Sequence, residues 1–114
     1  MEFMNDNTES SRKKESNKIL SKHPNRVPII VEKYKDCKLN DIKNKKYLVP
    51  TSMEFKQFIY VVRKSIQLDP SQALFITINN KLVTGSKQMG EIYEEYKNKD
   101  GFLYVVYTSE NTFG

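Results

Sequence analysis

The sequence predicts a small α+β domain, in which one mixed β-sheet carries a long amphipathic helix across one face and a helical segment precedes it. Three observations predict this. Between residues 27 and 107, short runs rich in β-branched and aromatic residues alternate with helical and turn-forming stretches. Phe55, Phe58, Ile59, Val62 and Ile66 fall at i, i+3, i+4, i+7 and i+11, which is one face of a helix. The 114 residues bound the chain to one domain with one modest core.

Taken in order, residues 1–10 are rich in Glu, Asn, Asp, Ser and Thr, with Phe3 as the sole aromatic, and are expected to form a flexible N-terminus. Residues 11–22 read as a helical extension whose apolar face is thin, with only Ile19 and Leu20 available. The folded unit is expected over 23–107. Residues 27–33 read as a strand, with Pro28 near its start because it lacks a backbone donor. Residues 35–45 are a lysine-rich connection in which Leu39 and Ile42 are spaced for one helical turn.

Residues 46–50 read as a second strand, ended by Pro50. Thr51 and Glu54 have capping-box spacing at the start of the long helix. Asp69-Pro70-Ser71-Gln72 marks a short turn. Residues 74–78 read as a third strand. Asn79-Asn80 follows as a turn pair tolerant of positive φ, and residues 81–83 as a short return strand. Met89, Ile92, Tyr93 and Tyr96 predict a second helix. Gly101 breaks away from it, free to take positive φ. Residues 102–107 are the last strand, and 108–114 a flexible polar tail. This order is that of the ubiquitin-like β-grasp, preceded by an extra helical segment.

Composition narrows the function. Nineteen Lys and Arg stand against fourteen Asp and Glu, a net charge of +5. The excess lies before residue 88; residues 88–114 reverse the sign, with two bases and five acids. A dipolar surface with one positive face suits acidic partners. With one cysteine, Cys37, there is no disulfide framework, and with one histidine, His23, no metal cluster or catalytic triad. Cys37 lacks a neighbouring His and reads as a plain thiol. No metal or other cofactor is expected. The N-terminus has no apolar signal region and no run is long enough to span a membrane, so a cytoplasmic location is expected. No nucleophile–base pair or phosphate loop is present, so the chain does not read as an enzyme. A basic nucleic-acid module is a competing reading that predicts steep salt dependence. The tyrosine-rich last strand lacks the glycine-and-aromatic signature of RNA-stacking sheets, and no nucleic acid is expected.

Four strings carry a resemblance: Pro24-Asn25-Arg26-Val27-Pro28, Lys45-Lys46-Tyr47-Leu48-Val49-Pro50, Tyr60-Val61-Val62-Arg63-Lys64 and Asp100-Gly101-Phe102-Leu103-Tyr104-Val105. With the ending Glu110-Asn111-Thr112-Phe113-Gly114, they make residues 12–114 resemble the autophagy ubiquitin-like modifiers. That family includes GABARAP and the microtubule-associated light chain 3 proteins. The resemblance implies conjugation of Gly114 to phosphatidylethanolamine, autophagosome formation and capture of cargo receptors. It implies activating and conjugating enzymes and a processing or deconjugating cysteine protease as partners. It also implies a monomer before conjugation and an autophagosomal or other vesicle membrane afterwards. A ubiquitin-like adaptor that binds acidic aromatic-x-x-aliphatic peptides without being conjugated is the alternative. Gly114 suits the chemistry because a glycyl carboxylate has no side chain to obstruct attack.

The resemblance also implies peptide capture by strand addition at the 46–49 edge. The aromatic pocket would take Glu15, Ile19, Pro28, Ile30, Lys46, Leu48 and Phe102. The aliphatic pocket would take Tyr47, Val49, Pro50, Met53, Phe58, Val61 and Ile66. Lys46 and Arg63 would meet the peptide's acids. The chain departs from the family at Asn7-Thr8-Glu9-Ser10, where an aromatic is usual, which implies a shortened or absent first helix. It departs again at Ser65 and Thr77, which implies altered partner preference.

Overall fold

The computed structural model describes residues 1–109, so the segment Glu110–Gly114 lies outside the described residues. The elements run α1 (Glu2–Asp6), α2 (Glu9–Lys22), β1 (Arg26–Lys33), β2 (Lys46–Pro50), α3 (Phe55–Ser65), β3 (Phe75–Ile78), β4 (Lys81–Leu82), α4 (Met89–Tyr96) and β5 (Leu103–Thr108). The sheet order is β2-β1-β5-β3-β4. The first and last strands pair in parallel at the centre, and every other pairing is antiparallel. This is the expected ubiquitin-like fold. Pro28 is accommodated in a central strand because β1 begins pairing with β5 only at Ile29.

Alternation along the strands divides the apolar side chains between two faces. Ile29 and Val31 of β1, with Leu103 and Val105 of β5, share a cluster with Phe55, Phe58, Val62 and Ile66, which lie on or directly after α3. Ile30, Phe102 and Tyr104 instead form a second cluster on the side of the N-terminal helices. The left-handed backbone falls as expected at Asn79, Asn80 and Gly101, and also at Gln67 directly after the helix cap Ile66.

Four local expectations are corrected. Residues 1–10, expected as a flexible arm with the first helix shortened or absent, hold a short α1 of five residues and the start of α2, capped by Thr8, whose side chain accepts the Ser11 N–H. The reason is Phe3: only 9% exposed, its ring lies 5.3 Å from that of Phe102 and 6.3 Å from that of Tyr104. Residues 35–45 form no helical turn. Leu39 and Ile42 are buried by a loop whose polar backbone is satisfied from outside. Tyr107 donates to the Asn40 carbonyl at 2.7 Å and Lys33 to that of Leu39 at 3.2 Å. The cap of α3 is Glu54 rather than Thr51, with Gln57 Oε1 accepting the Glu54 N–H at 2.9 Å. Thr51 instead presents its carbonyl to the Gly90 N–H. Strand limits shift too, since Leu74, Val83 and Phe102 fall outside the strands.

The docking of α2 is polar. Its buried residue is Ser16, whose hydroxyl donates to the Asp100 carbonyl at 2.5 Å. Gly101 has φ +93 and lies so close that an added Cβ would stand 2.3 Å from Ser16 Oγ. Beside it, the fully buried Asp100 carboxylate accepts from Arg12 Nε at 2.8 Å, from Tyr104 hydroxyl at 2.5 Å and from the Phe102 N–H at 2.9 Å. Burial, reinforced by the hydrogen bond to the Asp100 carboxylate, holds the Tyr104 phenol proton on far above its usual range.

Candidate functional site

Of the two sheet edges, β2 is the longer, with five residues against two in β4. Among the described residues it pairs only with β1 and leaves one row of backbone groups for another strand. The residues expected for the aromatic pocket gather beside this edge. Register places Pro28 opposite Leu48 and Ile30 opposite Lys46. Lys46 Nζ crosses from β2 to α2, 2.9 and 3.0 Å from the two Glu15 carboxylate oxygens. Ile30, Phe102 and, half-buried, Ile19 belong to one cluster.

Two members of that cluster escaped sequence reasoning, Phe3 and Tyr104. The Lys46 ammonium lies 5.2 Å from the centre of the Phe3 ring, a cation–π contact. The aromatic side of the edge is therefore partly furnished by the chain's own N-terminus. Burial of Phe3 contributes about 1.5–3 kcal/mol. Ordering the helix costs roughly 1–2 kcal/mol per residue. Further support comes from the Phe3 N–H to Glu32 Oε1 at 3.3 Å, the Glu2–Lys45 ion pair, and Arg12 bonds to the Met4 and Asn7 carbonyls. Phe3 is the one buried side chain of this helix. Phe3→Ala is expected to release residues 2–6, seen as lost amide hydrogen-exchange protection there with protection in β1 and β5 unchanged.

The aliphatic set is divided. Tyr47 packs edge-on to Phe58 at 6.0 Å between centroids, and its hydroxyl meets Ser65 Oγ at 2.9 Å. Ser65, where the family usually has a base, thus holds Tyr47 in place. Tyr47, Met53 and Val61 are half-buried and Pro50 is exposed. Val49, Phe58 and Ile66 are buried in the main core, and in this state they lie beneath the surface. Arg63 donates to the Gln72 carbonyl at 3.0 Å and so braces the 69–72 turn. Thr77 is buried rather than displayed. Gly114 lies outside the described residues. Among the described residues no group of His, Cys, Asp and Glu is placed to hold a metal, and no helix is long and apolar enough to cross a membrane. Cys37 Sγ accepts the Leu39 N–H at 3.4 Å, an ordinary turn contact.

Comparison with known proteins agrees with this architecture. The family profile described as autophagy protein Atg8 ubiquitin like matches residues 11–114. The chain is 44% identical over 112 residues to Autophagy-related protein 8h of Arabidopsis thaliana, covering 98% of this chain and 94% of the relative. It is 46% identical over 113 residues to Autophagy-related protein 8 of Schizosaccharomyces pombe, covering 99% and 93%. Among solved structures, that of Trypanosoma brucei ATG8 superposes with a TM-score of 0.91 at 38% identity, covering 100% of this chain and 98% of the other. Plasmodium falciparum Atg8, solved in complex with a Plasmodium falciparum Atg3 peptide, superposes with a TM-score of 0.88 at 31% identity, covering 95% of each.

Proposed function

The chain belongs to the Atg8 family of autophagy ubiquitin-like proteins, and we propose that it acts as a modifier, joined through Gly114 to the amine of phosphatidylethanolamine, that captures partner peptides along β2. In this reading it is not itself an enzyme. Activating and conjugating enzymes carry it as a C-terminal thioester, a cysteine protease processes or releases it, and cargo receptors reach it by short linear motifs. The free chain is cytoplasmic and monomeric, and the conjugated chain sits on an autophagosomal or other vesicle membrane. The Atg3 peptide held by the Plasmodium relative supports a conjugating enzyme as partner.

The observation that carries the peptide reading is the unpaired edge of β2 with a differently furnished wall on each side. Lys46 meets Glu15 and Phe3 on one side of the sheet, and Tyr47 meets Phe58 on the other. A peptide added as a strand would supply the missing backbone partners. Its aromatic anchor would sit near Leu48, Pro28 and Ile19, and its aliphatic anchor near Tyr47, Met53 and Val61. Lys46 and Arg63 would face its acids. Calorimetric titration of an acidic aromatic-x-x-aliphatic peptide at two salt concentrations tests this. Leu48→Ala is expected to remove pocket wall and cost about 1–3 kcal/mol, tenfold or more in affinity. Lys46→Ala is expected to cost less, with an effect that shrinks as salt rises. Wild-type affinity in Leu48→Ala would place the anchor on another surface.

A further inference from the structure

One concave region of the described molecule is lined by none of the residues assigned to the two peptide pockets. A cleft of about 660 Å³ opens where the start of α1, the end of β1, the 41–45 segment and the end of β5 meet. Ile42, Val106, Tyr107 and Met1 give it apolar walls. Its floor holds Glu32, which is 93% buried, being 7% exposed. One carboxylate oxygen of Glu32 accepts the Phe3 N–H, and the other, Oε2, is buried with no hydrogen-bond partner among the described residues. Lys33 pairs with Asp41 at 2.8 Å, and Lys45 pairs with Glu2 while also feeling the Glu32 charge. Lys35 borders the cleft as well. A buried carboxylate oxygen without a donor is costly, and a cation with its own hydrogens relieves that cost.

We infer that this cleft receives a lysine side chain from a protein that engages the adjoining C-terminal tail. Three features select that ligand. The free acceptor is a single oxygen, which suits the point charge of an ammonium, whereas the guanidinium fork is matched best by both oxygens of a carboxylate and Glu32 Oε1 is already taken. The apolar walls match a four-carbon stem. Tyr107 lines the cleft, and the seven residues from there to Gly114 span at most about 25 Å. A protein that holds the glycine therefore lies within reach of the cleft. The cleft shares no lining residue with the two peptide pockets, and Glu32 joins it to the aromatic wall through the Phe3 N–H.

The test is an amide-shift titration of the full chain with three capped amino acids: N-acetyl-lysine, N-acetyl-norleucine and N-acetyl-arginine methylamides. The lysine probe is expected to give saturable shifts confined to residues 32–35, 42–45 and 106–107. Norleucine, with the same stem and no charge, should bind about tenfold more weakly, and arginine more weakly than lysine. Glu32→Gln keeps an acceptor for the Phe3 N–H and should lose about tenfold for lysine alone, with the rest of the spectrum unchanged. Equal binding of lysine and norleucine, or of lysine and arginine, would overturn the inference. So would undiminished lysine binding in Glu32→Gln, or no saturable shift with any probe.

Discussion

Gly114→Ala is expected to abolish lipid attachment for practical purposes while leaving fold and peptide affinity intact. Acyl activation and transfer require the terminal carbonyl to be approached twice, first to form a thioester and then by an amine. A methyl group on the preceding carbon crowds both approaches and narrows the backbone conformations open to the tail. Misplacement of a reacting centre by about 1 Å costs about 10²-fold, and a fall in conjugation rate of at least that order is expected. The residue is remote from the β2 edge in sequence, so the peptide titration is the internal control. Conjugation of the alanine variant at the wild-type rate, with purified activating and conjugating enzymes, would refute the role given to the glycine.

The largest effect on stability is expected from Asp100→Ala. Its carboxylate is the common acceptor for the Arg12 guanidinium, the Tyr104 hydroxyl and the Phe102 N–H. Removing it strands a nearly buried cation and two donors at once. Breaking a buried pair from one side costs about 3–5 kcal/mol, a large share of the 5–15 kcal/mol that holds a typical domain together. A fall in melting temperature of roughly 10–20 °C follows for a chain of this size. Arg12→Ala should cost less, because Asp100 keeps its other two donors. Double-mutant coupling between Arg12 and Asp100 measures the difference. An Asp100→Ala variant as stable as the parent would mean that the N-terminal helices are not anchored through this residue.

Much of the fold was legible because apolar periodicity encodes it. The α3 stripe and the β-branched strands state which residues face the core, and the Asn79-Asn80 turn follows from local backbone chemistry. The face carrying the N-terminal helices was harder to read. Phe3 is a lone aromatic among polar residues, and its partners Ile30, Phe102 and Tyr104 are distant in sequence. Ser16 is buried because Gly101 admits it, a close approach between polar groups that leaves no hydrophobic pattern. The α3 cap was ambiguous for another reason: Thr51 to Glu54 and Glu54 to Gln57 have the same spacing. The isolated bridge between Glu54 and Gln88 fits the second choice. At the candidate site, the pocket sets implied by the resemblance put Lys46 and Tyr47 in different pockets, and the two side chains lie on opposite sides of the sheet. Resemblance named the pocket residues, but it gave no hint that Phe3 and Tyr104 furnish the same wall; that Phe58 and Ile66 face the core follows from the α3 stripe itself.

The central claim is that this chain is an amine-conjugated modifier rather than a free adaptor. Intact mass of the wild-type chain tests it most directly, after incubation with purified activating and conjugating enzymes, ATP and vesicles containing phosphatidylethanolamine. The account predicts a product heavier by one phosphatidylethanolamine less one water, sedimenting with the vesicles and absent when ATP is withheld. A chain that keeps its unmodified mass and forms no thioester with the activating enzyme, yet still binds the peptide, would contradict the claim in favour of an unconjugated adaptor.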